Sequence, residues 1–283
     1  VQVVPEPLAR EVVAAVGDGR AAIDLLSLLS INRRIDDASV FDSLILARSY
    51  RAMMALKRAP TGYNNQWLSV NIMDSRMLRF CAVRVIATLA ARPWMELWRR
   101  LGPVNFYRLE GAAERAAFVP MSRVMRGTPD EVDQALRDPG FDPIGWIIVE
   151  DAAAPAATQP ADAPIVPARY SRPNSDRIVV ELEAPQTGYV RIVEAFDPGW
   201  RGRLNGRPTK IVPANLMLMA VRVEPGWNRI ELQYHTPGLV AGCVGSAVGL
   251  ATLLGVAWWS VRREGQAMIA QELQHQRLDA PTQ

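Results

Sequence analysis

Residues Gly238–Val261 read GLVAGCVGSAVGLATLLGVAWWSV, a run of 24 residues without one charged side chain. An α-helix that rises about 1.5 Å per residue would extend this run over about 36 Å, and a bilayer's hydrocarbon core is about 30 Å thick. Only a helix satisfies every backbone polar group of one apolar segment in lipid. The run therefore predicts a transmembrane helix at 238–261, and a helix buried in a soluble core is the alternative.

The end of this run carries the residues that are typical of a membrane–water interface. Trp258 and Trp259 lie near its end, and Arg262 and Arg263 follow directly. Tryptophan favours the interface, and positive charge favours the cytoplasmic side. We therefore expect residues 262–283 to form a cytoplasmic tail and residues 1–237 to lie outside the cytoplasm.

Four glycines are spaced along the predicted helix in two pairs. Gly238 and Gly242 are four residues apart, as are Gly245 and Gly249. Pairs of small residues at this spacing let a second helix approach closely. The pattern predicts packing against other membrane spans, although glycine is also generally frequent in membrane helices.

The composition excludes several classes of function. The chain has 283 residues, two cysteines and two histidines, so it lacks the material for a disulfide framework, a cysteine zinc cluster or a histidine-based catalytic centre. The net charge is +3, and its basic residues, nearly all arginine, alternate with acids. This pattern argues against a nucleic-acid partner. We assign no catalytic residue, no metal and no cofactor from composition.

The remainder of the chain divides into three predicted parts. Residues 151–176 are rich in proline and alanine and predict a linker. Residues 177–237 contain short alternating segments and the Asn205-Gly206 hairpin signal, which predict a small antiparallel β-sandwich. Residues 1–150 mix both periodicities and predict an α/β domain. The fold class is therefore α+β with one C-terminal transmembrane helix.

Several elements of the first domain follow from local patterns. Apolar spacing predicts helices at 41–56 and 94–101 and strands at 83–89 and 104–109. Thr128-Pro129-Asp130-Glu131 has the residue types of a helix start, with a capping threonine, an early proline and a glutamate at the third position.

Asp197, Trp200 and Arg201 form the candidate substrate-binding group. A tryptophan ring can stack on a sugar, and the guanidinium and carboxylate can hydrogen-bond to its polar groups. The alternative is that Pro198-Gly199 makes a bend and that Trp200 fills the core of the sandwich.

Other residues have weaker signals. We expect Trp227 to pack over the end of a strand rather than to bind a ligand, with a position at the membrane interface as the alternative. His235 is expected to be structural or solvated. Asp36 and Asp37 are expected in a solvated loop, although paired carboxylates can also serve acid–base chemistry or a metal.

An ordered series of motifs resembles the YfhO family of bacterial membrane proteins. The strongest part is FDPGWR at 196–201, followed by LNGRP at 204–208 and VEPG at 223–226. IELQY at 230–234 and Pro237-Gly238 complete it. Upstream, LRFCAVRVI at 78–86, RAAFV at 115–119 and the segments around Phe141-Asp142-Pro143 and Ile147–Glu150 are similar to further family segments. The series covers most of residues 30–260.

This resemblance implies a polytopic protein of the bacterial cytoplasmic membrane, related to GT-C glycosyltransferases that use polyprenyl-phosphate sugars. We expect the chain to be the C-terminal part of such a protein, with membrane lipids and upstream spans as partners. Its exterior region would recognise a sugar or an envelope-polymer acceptor, and the catalytic residues would lie upstream. Glu114 replaces the family's proline before Arg115. The alternative is a non-catalytic, membrane-anchored carbohydrate-binding module.

Overall fold

The computed structural model describes residues 6–23, 46–56, 75–89, 91–92, 95–154 and 163–278, with the side chains of 6–9, 260–261 and 263–278 left out. The chain divides into two units, Val1–His235 and Thr236–Gln283. In the described residues, the first unit contains three sheets and the second contains one long helix, so the predicted α+β class with a C-terminal apolar helix is confirmed.

A four-stranded sheet is built from the N-terminal part of the first unit. Its strands lie in the order β1-β2-β4-β3, with β1 parallel to β2 and the other pairs antiparallel. The elements are α1 (Glu6–Val16), β1 (Arg20–Ile23), α2 (Ala47–Leu56), α3 (Ser75–Phe80), β2 (Val83–Thr88), β3 (Glu96–Leu101) and β4 (Val104–Arg108).

The predicted helix at 94–101 is wrong, because Glu96–Leu101 forms the edge strand β3. Among the described residues, this strand pairs only with β4, and nearly all its residues are exposed on both faces. Its sequence therefore lacks the apolar alternation of a half-buried strand, and the pairing with β4 overrides the helical spacing of its apolar residues.

A seven-stranded sheet forms the centre of the first unit. Its order is β6-β7-β14-β15-β11-β5-β8. The elements are β5 (Ala116–Pro120), β6 (Val124–Arg126), α4 (Pro129–Arg137), β7 (Ile147–Val149), β8 (Val166–Pro167), β11 (Gly188–Ile192), β14 (Val212–Ala214) and β15 (Leu218–Val223). One core cluster joins this sheet to the N-terminal elements and includes Leu56, Phe80, Ile86, Tyr189 and Leu218.

A five-stranded sheet completes the sandwich. Its order is β13-β12-β16-β10-β9, and all its pairs are antiparallel. The elements are β9 (Arg169–Asn174), β10 (Arg177–Ala184), β12 (Trp200–Leu204), β13 (Arg207–Thr209) and β16 (Gly226–Tyr234). A second core cluster contains residues of both sheets, such as Val180 and Ile230 on one and Val190 and Val221 on the other.

The structure differs from the predicted division of this unit into separate parts. Residues 166–174 were assigned to the linker 151–176, but they form β8 and β9. In addition, β5 from the first predicted domain pairs with β11 from the second. The prolines misled the prediction because β8 and β9 are edge strands, where a missing backbone donor is tolerated.

The second unit is the helix α5, Leu239–Leu278. Its apolar part, Leu239–Trp259, has a mean hydropathy of 2.0 and is not buried by the rest of the chain. Gly238 precedes the helix with a positive φ of 78°, a conformation that glycine adopts without strain. The helix continues past the predicted end at Val261. Its length and composition fit a transmembrane helix.

Candidate functional site

The segment 196–200 makes a tight bend that leads into β12. The Asp197 Oδ1 atom accepts a hydrogen bond from the Gly199 backbone N–H at 2.7 Å, and the Trp200 N–H donates to the Asp197 carbonyl at 3.1 Å. Aspartate and proline are favoured in such turns because one accepts backbone hydrogen bonds and the other fixes φ. The predicted bend is therefore present.

Gly199 allows this bend to approach the end of β16. A Cβ atom at Gly199 would lie 2.6 Å from the His235 carbonyl oxygen and 2.6 Å from Cε2 of Tyr234. The His235 N–H also donates to the Gly199 carbonyl at 3.0 Å. The bend is thus fixed against β16, and a side chain at this position would separate the two.

Trp200 contributes to the core as well as to the surface. Its ring meets the Tyr234 ring edge-on, with centroids 5.3 Å apart, and it packs against the core of the sandwich. Burial and the hydrogen bond to Asp197 raise the pKa of Tyr234 above its ordinary value. Trp200 therefore fills part of the sandwich core, as the alternative expected. The residue is only half-buried, so part of it is accessible to a ligand.

Arg201 is exposed on β12 and makes only local contacts. Its Nη1 atom donates to the Pro198 carbonyl at 2.8 Å. Arg203, two residues along the same strand, donates to the Gly206 carbonyl at 3.4 Å. Within the described part of the chain, neither guanidinium forms a salt bridge, so both can hydrogen-bond to a ligand.

The three predicted site residues line one open cleft of about 790 Å³. The cleft also contains acidic, basic and amide side chains that the sequence analysis did not assign to a site. Its polar and aromatic lining includes Arg177, Asp197, Trp200, Arg201, Arg203, Glu231, Gln233 and His235. Trp200 reaches the cleft from the core side of β12, where it pairs with Tyr234, whereas Arg201 and Arg203 extend from the opposite side. Together these residues give the cleft an aromatic ring and hydrogen-bonding groups of both kinds, which suits a polar ligand such as a sugar.

Most of the missed cleft residues come from neighbouring strands. In the sheet, Arg201 pairs with Gln233 and Arg203 pairs with Glu231, so these four share one face. The period of two residues in β12 was a local signal that places Arg203 beside Arg201. The pairing partners of β12 could not be read from the sequence. His235 was expected to be structural or solvated, and it does hold Gly199, but it also lines the cleft.

A second group of polar residues lies buried outside the cleft. Arg115 is 1% exposed and forms a salt bridge with Glu194, which is also buried. Glu194 additionally pairs with Arg20 at 3.1 Å and Arg172 at 3.1 Å. The Tyr170 hydroxyl donates to Glu194 at 2.8 Å. Burial, and to a smaller extent the negative charge of Glu194, raise the pKa of Tyr170 to about 12. This cluster joins β1, β5 and β9 to the end of β11.

Trp227 does not pack over the end of a strand, because its side chain is 63% exposed. It lies at the start of β16, seven residues before Tyr234 and so about 23 Å from the end that leads to α5. The structure thus overturns the first expectation for this residue.

The other predicted positions are placed as follows. Gly242, Gly245 and Gly249 lie in α5, and apart from the backbone of that helix and their chain neighbours, no described atom lies within 4 Å of a Cβ atom built on any of them. The Arg262 guanidinium lies over the Trp258 ring at 3.9 Å, Trp259 is exposed, and the side chain of Arg263 is outside the described atoms. Asp36 and Asp37 also lie outside the described residues. Among the described residues, no three His, Cys, Asp or Glu side chains group as metal ligands would.

The described residues form a β-rich α+β unit followed by one apolar helix whose length and composition fit a membrane span, and these two features define the class. The family model described as bacterial membrane protein YfhO matches residues 165–246. This match confirms the resemblance to the YfhO family from the strand preceding β9 to the first turns of α5. Comparisons with curated proteins and with solved structures gave no significant match.

Proposed function

We propose that this chain is part of a YfhO-like membrane glycosyltransferase system in which the Val1–His235 unit recognises a sugar or an acceptor outside the cytoplasmic membrane. The observation that carries the proposal is the cleft that brings Asp197, Trp200 and Arg201 together. The match to a membrane protein family and the apolar helix support a membrane location.

Chain connectivity also favours a ligand near the bilayer. His235 lines the cleft, and α5 begins at Leu239, so three residues separate them in sequence. A chain of this length reaches about 14 Å at most. A sugar carried on a polyprenyl phosphate, or an acceptor anchored in the membrane, is therefore the ligand that we propose for the cleft.

Both carboxylates of the cleft already have hydrogen-bond or salt-bridge partners within the chain. Asp197 accepts hydrogen bonds from the Gly199 N–H and interacts with Tyr234. Glu231 pairs with Arg177 and Arg229, and the hydrogen bond from Arg229 lowers its pKa. A general acid at neutral pH needs a raised pKa. We infer that the cleft binds and orients, with any catalytic residues elsewhere.

The involvement of the cleft carboxylates in contacts within the chain also favours the second candidate, a membrane-anchored binding module without catalysis. The two candidates share the cleft and differ in turnover. Release of polyprenyl phosphate from a labelled polyprenyl-phosphate sugar, measured in membranes that contain the protein, distinguishes them.

The binding proposal is tested with the full chain in lipid nanodiscs. The ligands are glucose, galactose, mannose and N-acetylglucosamine, each also as its 1-phosphate, and affinity is measured by calorimetry. Arg201→Ala removes hydrogen bonds from a charged donor, so we expect about a tenfold or greater loss of affinity. Arg169→Ala is the matched control, since this arginine lies on the same sheet, outside the cleft, with its side chain 83% exposed. Equal affinity of wild type and Arg201→Ala would contradict the proposal.

A further inference from the structure

Trp227 is an exposed aromatic residue on the solvent face of the five-stranded sheet. It pairs in register with Glu183 of β10, and its neighbours Asn228 and Ile230 are buried. Side chains alternate between the two faces of a strand, so Trp227 lies on the face opposite the sandwich core. A single exposed apolar residue is common on protein surfaces. Trp227 is of interest because other residues on the same face of β16 line the cleft.

The same face of the same strand leads from Trp227 into the cleft. Glu231 and Gln233 line the cleft, and they lie four and six residues after Trp227. At about 3.3 Å per residue, these separations are about 13 Å and 20 Å along the strand. Trp227 therefore stands at the far end of a straight row that begins in the candidate site.

Paired charges occupy the space between the two ends of this row. Arg229 Nη2 lies 3.1 Å from Glu231 Oε1, and Arg229 also pairs with Glu181. Arg177 Nη2 lies 3.3 Å from the same Glu231 oxygen. The side chains are thus held by one another, and they offer donors and acceptors in alternation with little net charge.

This arrangement selects among possible occupants. An apolar partner would desolvate the paired charges without replacing their hydrogen bonds, which is costly. A highly charged partner would compete with the salt bridges that Arg177 and Arg229 already form with Glu231 and Glu181. A chain of sugar rings carries hydroxyls that both donate and accept, and its ring faces can stack on tryptophan.

We propose that the row from the cleft to Trp227 binds a linear oligosaccharide, with Trp227 as a distal stacking platform about 20 Å from Gln233. This inference rests on the proposed function of the cleft and adds the class of ligand, a chain of several sugar units rather than a single one. It assigns to Trp227 a binding role in the recognition of chain length.

The test compares ligands of increasing length on the full chain in lipid nanodiscs. The probes are the monomer, dimer, tetramer and hexamer series of N-acetylglucosamine, of glucose and of mannose. Trp227→Ala is expected to leave the affinity for monomers and dimers unchanged and to weaken hexamer binding about two- to tenfold, the range for loss of one aromatic stacking contact. Trp227→Phe keeps a ring and is expected to recover most of the loss. Leu97→Ala, an exposed apolar residue of the four-stranded sheet, is the control.

The outcomes separate the two proposals. If Trp227→Ala binds hexamers as tightly as wild type does, or weakens monomers and hexamers equally, the distal platform is wrong while the cleft proposal stands on Arg201→Ala. If wild type binds no probe of any length, the distal platform is wrong, and the cleft proposal fails as well only if the 1-phosphates and galactose also do not bind. Because Trp227 is mostly exposed, its replacement is expected to leave the melting temperature unchanged, and a large drop would assign it a structural role instead.

Discussion

Arg115 and Glu194 show why a single residue can determine how the first unit is assembled. The two are 79 residues apart in sequence, and Arg115 is almost fully buried. Burying an ion pair carries a desolvation penalty, so the pair by itself does not measure stability. Removing one member, however, leaves the other as a buried charge without compensation.

We therefore predict that Glu194→Ala destabilises the protein strongly. Arg20, Arg115 and Arg172 would lose their shared carboxylate, at a cost of about 3–5 kcal/mol, which corresponds to a drop of roughly 6–20 °C in melting temperature. Thermal unfolding of the full chain in detergent measures it. The control is Glu11→Ala, since Glu11 pairs with Arg99 at the surface, where such a pair contributes about 0–1 kcal/mol. Similar melting temperatures for the two variants would contradict the prediction.

The sequence predicted the site residues that lie close together in the chain, but not those that strand pairing brings to the cleft. Asp197, Trp200 and Arg201 lie within five residues of one another, so one local motif identified them. Arg177 and Glu231 reach the cleft through strand pairing, and Glu194 reaches Arg115 through the fold. A single sequence does not specify such pairing, because register depends on contacts between distant segments.

Among the elements, those with local signals were predicted well. The helix α4 begins as its sequence indicates, with the Thr128 side chain accepting from the Glu131 N–H and the Glu131 side chain accepting from the Thr128 N–H. The Asn205-Gly206 turn has both residues at positive φ, 51° and 80°, as its hairpin signal requires. The edge strands β3, β8 and β9 were missed, because one-sided pairing imposes little pattern on a sequence.

The helix cap of α4 gives a prediction with a defined pH dependence. Thr128→Ala is expected to lower the free energy of unfolding by about 1 kcal/mol. Hydrogen bonds from the Thr128 backbone and side chain lower the pKa of Glu131 below its ordinary value of 4.5. The folded state therefore favours the charged form, so this stabilisation is present above pH 4.5 and is lost as the pH falls through the lowered pKa.

Melting temperatures of wild type and Glu131→Gln, measured from pH 7 down to pH 3, test this dependence. Wild type is expected to be more stable at pH 7, and the difference is expected to narrow below pH 4.5 as Glu131 becomes protonated. A difference that stays constant or widens on acidification would show that the Glu131 charge does not support the cap. Gln134→Ala, a change within the same helix but outside the cap, serves as the control.

For the whole molecule, the proposed location of the first unit depends on the apolar helix. The YfhO match includes strands of the sandwich and the beginning of α5, so both units share the resemblance. The uncharged part of α5, Leu239–Trp259, is long enough to cross the bilayer core. A helix also satisfies its own backbone hydrogen bonds there. Trp258, Trp259 and Arg262 at its end support the proposed orientation, with the C-terminus in the cytoplasm and the cleft on the other side.

The orientation can be measured by labelling introduced cysteines, because the two native cysteines are not expected to react. Cys81 is buried, with the pKa of its thiol raised by burial, and Cys243 lies in the apolar part of α5. A membrane-impermeant maleimide is therefore expected to label neither, and an introduced cysteine reports its own side. Gln186→Cys, at an exposed position after β10, is expected to react in intact cells, whereas Gln276→Cys near the end of α5 is expected to react only after lysis. The reverse pattern would place the cleft in the cytoplasm, where a sugar acceptor of the envelope is not accessible, and the proposed function would fail with it. Labelling of both positions in intact cells would mean that α5 does not cross the bilayer, because a membrane-spanning helix has to separate its two ends.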